Sequence, residues 1–331
     1  MDNNQKMTTK VKVGIYGGGG YTAGELIRLL ANHPMVQITC VQSHSQSGRD
    51  LSVVHRDLTG EIDLAFSDQL TWDFDVLFLC KGHGESMKFF VDNEKRLSDI
   101  RLIDLSMDFR SRSNKVGFIY GLPELYPTEI RKAMRIANPG CFATAIQLAL
   151  LPAVQHRLIN SPISISGITG STGAGQKMSN NSHFSWRNNN VSVYKALAHQ
   201  HLAEVKENLE TACSDFDETL HFIPYRGNFT RGIIVTSHFL CDTDIDEVYK
   251  LYSYYYRHAK FTNTTDQNPD VKLVVNTNKA LVYLEKIGDQ LVVISVIDNL
   301  LKGASGQAVQ NMNIMMGWEE MLGLKLKSIG F

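Results

Sequence analysis

The stretch that most narrows what this chain can fold into is its first apolar strand and the turn behind it. Val11-Lys12-Val13-Gly14-Ile15-Tyr16 alternates in branched residues and runs straight into Gly17-Gly18-Gly19-Gly20-Tyr21-Thr22-Ala23-Gly24. Glu25-Leu26-Ile27-Arg28-Leu29-Leu30 is then amphipathic and stops near His33-Pro34. Strand, glycine turn and helix make the opening unit of a dinucleotide-binding α/β fold, in which helix N–H groups face a pyrophosphate. Gly17 suits the tight turn, Gly20 lets backbone approach the pyrophosphate, and Ala23 or Gly24 lets the helix pack close on the strand. Tyr21 and Thr22, at the helix start, join the cofactor residues.

The second strand, Val36–Val41, refines the expectation. A site specific for NAD ends this strand with an acid that binds the ribose 2′-hydroxyl. Here the chain continues Gln42-Ser43-His44-Ser45-Gln46-Ser47-Gly48-Arg49, with hydroxyls and a cation in place of an acid. Ser43, Ser45 and the nearby Arg49 suit a 2′-phosphate, so the cofactor expected is NADP(H). Two more buried strands, 75–80 and 101–106, end at Lys81-Gly82-His83-Gly84 and at Met107-Asp108-Phe109-Arg110. Ligands sit off the carboxyl ends of such strands. His83 reads as a structural group or a cofactor contact. Arg110 is a candidate phosphate clamp, or else an ion-pair partner of Asp104 or Asp108.

The chemistry centres on Cys141. Asn138-Pro139-Gly140 is turn-forming, and the residues after Cys141 make an apolar helix. A thiol at a helix N-terminus has its pKa lowered, and the same N–H groups can hold an oxyanion. Downstream, Ile163–Ile168 alternates as a half-buried strand, followed by the small-residue loop Thr169–Lys177, whose N–H groups can wrap a ligand. Residues 179–190 read as a surface loop. His199 and His201 stand at a helix entry and are the best acid/base candidates, with Glu204 spaced to orient His201. A metal role is discounted, since no third ligand lies at helical spacing. Arg226 and Arg231 are candidates for a substrate carboxylate or an interface pair. Strands at 233–240, 281–283 and 291–297 suggest an antiparallel sheet, and a final helix runs to about Met321.

Length argues for two domains, at 331 residues. A net charge of −1 without a basic run excludes nucleic acid and anionic membrane as main partners. No apolar run reaches the roughly 18–20 residues of a membrane span. The polar start MDNNQKMTTK does not read as an export signal, and an odd count of five scattered cysteines fits a reducing, cytoplasmic setting.

Taken together, Asn138-Pro139-Gly140-Cys141, the Gly17–Leu26 turn, Asp104-Leu105-Ser106-x-Asp108-Phe109-Arg110, Tyr120-Gly121-Leu122-Pro123-Glu124, His199-x-His201-x-x-Glu204 and the run Asp298–Asn311 resemble the N-acetyl-gamma-glutamyl-phosphate reductases. The motifs span nearly the whole chain in that family's order. The resemblance implies an α/β protein with a Rossmann-type dinucleotide-binding domain (1–140 and 302–331, discontinuous). It implies a second, α+β catalytic and dimerisation domain (141–301) with a mostly antiparallel sheet. It implies an NADP-dependent acyl-phosphate reductase of arginine biosynthesis, working on a small-molecule acyl phosphate. Cys141 would form a thioester, and one of His199 and His201 would be the acid/base, with His201 favoured. Asn299 would face the nicotinamide. Arg110, Asn138, the Ser171–Gly175 loop, Glu204 and Arg226 would form the substrate side. A homodimer or homotetramer through the second sheet is expected. This chain departs at Gly18-Gly19, Ala203 and Leu79–Gly84, and at Gln200, where the family often has Arg; the loss of that Arg makes an N-succinyl or carrier-bound substrate the alternative. Further rivals are aspartate-semialdehyde dehydrogenase and, outside enzymes, an NADP-binding redox sensor.

Overall fold

The computed structural model describes residues 10–114 and 116–330. The first half builds β1 (Val11–Tyr16), α1 (Tyr21–Ala31), β2 (Val36–Gln42), α2 (Leu51–Val54), β3 (Val76–Leu79), α3 (Glu85–Asn93), β4 (Arg101–Asp104), β5 (Ile119–Tyr120), α4 (Pro127–Lys132) and β6 (Arg135–Ala137). Their strands form one sheet in the order β2-β1-β3-β4-β6-β5, parallel throughout. Val76–Leu79 is buried at every position, as expected of a parallel strand covered on both faces.

The second half begins with α5 (Cys141–Gln155), followed by β7 (Ile163–Thr169), α6 (Phe184–Arg187), β8 (Ser192–Val193), α7 (His201–Ala212), β9 (Leu220–Arg226), β10 (Ile233–Leu240), α8 (Ile245–Tyr256), β11 (Thr262–Thr265), β12 (Ala280–Ile287), β13 (Gln290–Ile297) and α9 (Ser305–Met315). The second sheet runs β11-β12-β13-β10-β7-β9-β8. It is mostly antiparallel, with parallel pairs at β11/β12 and β7/β9. In β10 the residues alternate: Ile233, Val235 and Phe239 are buried, and Ile234, Thr236 and His238 are half-buried or exposed. The buried set faces α5, which also packs on α7 and α8. The opposite face carries partly exposed Ile168, Ile223 and Tyr225.

α5 is the pivot between the halves. Residues Phe142 to Val154 are all buried, so this helix is enclosed all round rather than amphipathic, with Thr144 and Gln147 as its polar members. Each large side chain in it contributes about 1.5–3 kcal/mol by burial. Its start is fixed by Gly140, whose extended backbone (ψ 150°) ends the turn and whose carbonyl accepts from Thr144.

Several local expectations are corrected. The last helix ends at Met315, six residues before Met321, because the chain turns there to return a carbonyl of residue 320 to Asn313. The 179–190 stretch contains the short helix α6. Gly24 is small because of His55, not because of β1: a Cβ there would lie 2.6 Å from His55 Nδ1.

Candidate active site

A cleft of about 640 Å³ opens between the two sheets. Two helix N-termini enter it. Gly20, Tyr21 and Thr22 bring the start of α1, and Gly140, Cys141 and Phe142 bring the start of α5. His83, Arg110, Thr172, Gly175, Tyr194, Lys195, His199, His201, Arg226, Asn299 and Gly303 complete much of the wall. Among the described residues of this lining there is no aspartate or glutamate.

The glycine turn has the form that an anionic cofactor requires. Gly17 holds φ +94°, a conformation other residues resist. A Cβ on Gly18 would lie 2.2 Å from Val41 Cγ1, whereas Gly20 faces open space with nothing within 4 Å. No side chain caps the N–H groups of α1. The start of α1 therefore offers bare backbone donors to a pyrophosphate. Ser43 is buried beside Gly19, where an added Cβ would sit 3.5 Å from its hydroxyl, and it does not line the cleft itself. Ser45 is exposed. The fold also brings a carboxylate to this corner, for Asp68 pairs with His44. That proximity was invisible in the strand's own sequence.

The Cys141 sulfur faces the N–H of Phe142, but burial dominates and pushes the thiol up to about 11. This corrects the expectation of a lowered pKa: the helix end and the Arg110 charge favour the thiolate less than desolvation opposes it. A base is therefore needed, and two imidazoles stand ready as neutral rings. Burial, then the Lys195 charge, pushes His199 down to about 4. Burial, with the charge of Arg110 next, holds His201 well below its usual value. The His199 Nδ1 already accepts the His201 backbone N–H at 3.3 Å. The His201 Nδ1 is buried without a partner, and its Nε2 is close-packed on Gly140, 2.4 Å from where a Cβ would be.

Glu204 does not orient His201. Its Oε1 accepts the Gly140 N–H at 2.8 Å and the Tyr120 hydroxyl at 2.6 Å, and its Oε2 pairs with Arg110 at 3.3 Å. It is buried behind the cleft wall and braces the cysteine turn. Arg110 is equally committed: Nε donates to the Asn138 carbonyl, Nη2 to that of Leu105, and Nη1 to Glu204. Its ion pair is thus with Glu204, neither with Asp104 nor with Asp108, which instead accepts the Gly84 and Met87 N–H groups at the start of α3. Asn138 is a brace too, donating to the Ala304 carbonyl and accepting from Asn311. Asn299 lines the cleft while its side chain ties Gly232 to Thr172. Of the Ser171–Gly175 loop, residues 172–175 line the cleft and Ser171 does not. Arg226 lines it and lies over the Tyr194 ring at 4.7 Å. Arg231 is no carboxylate site, because it bridges Glu25 of α1 and Asp298.

Sequence reasoning passed over Tyr120, Tyr194, Lys195 and Gly303. Gly303 lies against the nucleophile, where a Cβ would come within 2.9 Å of that of Cys141. Tyr120 and Gly303 sat inside the quoted motifs; Lys195 had no signal beyond standing four residues before His199.

Residues 12–133 match the model described as semialdehyde dehydrogenase, NAD binding domain, and residues 141–299 match semialdehyde dehydrogenase, dimerisation domain. The chain is 53% identical over 322 residues to the N-acetyl-gamma-glutamyl-phosphate reductase of Phocaeicola vulgatus, covering 97% of this chain and 100% of that one. It is 55% identical to that of Azobacteroides pseudotrichonymphae over the same shares. Among solved structures, aspartate semialdehyde dehydrogenase II of Vibrio cholerae complexed with ASA superposes with a TM-score of 0.72 at 15% identity, over 93% of this chain and 99% of that one. The aspartate semialdehyde dehydrogenase of Candida albicans with NADP gives 0.67 at 11%, over 93% and 99%. At such identities these two speak to the fold.

Proposed function

The chain belongs to the N-acetyl-gamma-glutamyl-phosphate reductase family, and from that premise we propose that it reduces N-acetyl-L-glutamyl 5-phosphate to the 5-semialdehyde and phosphate, with NADPH, in arginine biosynthesis. The observation that carries the reading is Cys141 at the first residue of α5, in a cleft shared with the bare N-terminus of α1 and with two neutral imidazoles. In this reading His201 takes the thiol proton as the sulfur attacks the acyl carbon. The carbon–oxygen bond to phosphate breaks, and a thioester remains on Cys141. The N–H of Phe142 and its neighbours at the head of α5 face the oxyanion. Gly17, Gly20, Tyr21 and Thr22 would hold NADPH, with Ser43 and Ser45 on the 2′-phosphate side and Asn299 on the nicotinamide side, and the bound cofactor would supply the hydride. His201 then returns a proton as the cysteine is released, and His199 supports its backbone. Arg226 takes the substrate carboxylate, Gly175 and its loop line the acyl group, and Glu204, Arg110 and Asn138 hold the nucleophile's turn.

The same reading divides the chain into 1–140 with 302–331, and 141–301, supported by the packing of α9 on α1 and α4. It pairs two or four copies through the open face of the second sheet, in keeping with the matched dimerisation domain. Its five free thiols suit a cytoplasmic setting. Among the described residues no helix is long and apolar enough to cross a membrane.

The test runs the reaction backwards, with N-acetyl-glutamate semialdehyde, NADP and phosphate. Phosphate-dependent NADPH formation is expected, falling to background in Cys141→Ser. A signal with the N-succinyl substrate alone would change the acyl group. Silence with both, alongside NADP binding, would overturn the enzyme reading.

A further inference from the structure

The cations of the cleft are not equivalent. Those lining it are Lys81, Arg110, Lys195 and Arg226. Arg110 has each guanidinium nitrogen on an internal acceptor and shares its charge with Glu204. Lys81 sits off β3 beside Glu85, with its ammonium 5.1 Å from the centroid of the Tyr16 ring. Lys195 and Arg226 remain, and the substrate has two anionic ends. A planar guanidinium laid over Tyr194, with its Nε buried and unpartnered, suits the flat carboxylate. An ammonium, with three donors and no fixed plane, suits a tetrahedral phosphate.

The chain spends conformational energy to hold Lys195 where it is. Lys195 and Leu197 both adopt left-handed backbone, φ +46° and +59°. Residues with a Cβ resist this conformation, so the surrounding contacts must hold it. The turn is pinned to β9 on both sides: the Tyr194 N–H donates to the Pro224 carbonyl and the Leu197 N–H to that of Phe222. The Lys195 Nζ then donates to Gln200 Oε1 at 2.7 Å, a neutral acceptor that leaves its charge uncompensated. That charge bears on His199, His201 and His83, the imidazoles around the reacting end.

We propose that Lys195, steered by Gln200, is the phosphate-binding residue of the cleft: it holds the phosphoryl group of the acyl phosphate and receives it as the leaving anion. The step balances simply. The thiol proton passes to His201 as the sulfur–carbon bond forms, and the carbon–oxygen bond breaks with its electron pair left on phosphate, beside the Lys195 ammonium. The inference rests on the function proposed above, and it extends to a residue that reading does not use.

In the reverse reaction phosphate and semialdehyde are separate substrates, so their KM values report the two anionic ends separately. Lys195→Asn removes the ammonium and keeps a residue that tolerates left-handed backbone. The phosphate KM is expected to rise about tenfold or more, the worth of one charge-assisted hydrogen bond. The semialdehyde KM should stay within about twofold. A rise in the semialdehyde KM instead, or no change in either, would overturn the assignment. A second readout needs no turnover: phosphate should protect Cys141 from iodoacetamide in the wild type and not in Lys195→Asn. Equal protection of both, or of neither, would equally overturn it. Should the wild type turn over no acyl substrate while phosphate still protects it selectively, the function falls and the phosphate site stands.

Discussion

Cys141 and His201 show how burial sets the chemistry of single residues. A thiol pushed up to about 11 is protonated near neutrality, and an imidazole held low is neutral there. The alkylation rate of Cys141 by iodoacetamide should therefore rise about tenfold per pH unit between about pH 7 and pH 10, without a plateau. A plateau near pH 7 would mean a preformed thiolate. Asp104 makes a second pH prediction. Burial, against the Ser106 hydroxyl bond, raises its carboxyl from 3.8 to about 6. The folded state then binds a proton that the unfolded state releases. Stability from this group is complete below pH 3.8 and is lost as pH rises through about 6. The loss is about 3 kcal/mol. Asp104→Asn should flatten a urea-midpoint profile over that range. Sequence could name Cys141 and the two histidines because turn and helix chemistry is local. It misjudged the thiol and Glu204 because their partners are distant: Glu204 meets Gly140 64 positions away and Tyr120 84 away.

At the scale of elements, the strand–turn–helix units were legible and the second sheet's edge was not. β1, β2 and β10 announce themselves by branched residues, and the glycine turn fixes α1. β9 went unseen because Pro224, which has no N–H, sits inside it; the strand tolerates it, pairing parallel to β7. The head of α5 offers a sharper test of how elements aim a site. A Cβ on Gly140 would meet His201 Nε2 at 2.4 Å and Arg110 Nη1 at 2.7 Å, both on buried side chains that would have to give way. Gly140→Ala should fold, bind NADP and lose about a hundredfold in kcat, since a displacement of about 1 Å at the reacting groups costs that much. Unchanged kcat would show that the imidazole's position is not critical.

Across the whole molecule, charge bridges lock one half to the other. Arg231 joins Glu25 of α1 to Asp298, which is fully buried. Burial works against the Glu25 carboxylate, yet Arg231 and Arg28 hold its pKa below the usual value. Its contribution is thus present above pH 4.5 and lost as pH falls through the lowered folded value. Arg231→Ala should cost about 3–5 kcal/mol in chemical denaturation, because it strands a buried carboxylate. A loss below about 1 kcal/mol would mark the bridge as a mere surface contact. The long-range pairing of halves was readable only as a family expectation, since no local pattern tells Arg231 from a substrate-binding arginine.

α9 is buried at every residue although it carries Gln307, Gln310, Asn311 and Asn313. Its amides are addressed to particular partners: Asn311 donates to the Gly121 carbonyl and to Asn138, the turn that carries the nucleophile. Asn138 in turn waits for the carbonyl of Ala304, 166 positions later. On the ribosome this chain therefore exposes its cysteine long before the segment that seats it has been made. A chain whose synthesis stops before Ala304 lacks the partners that hold the turn of its nucleophile.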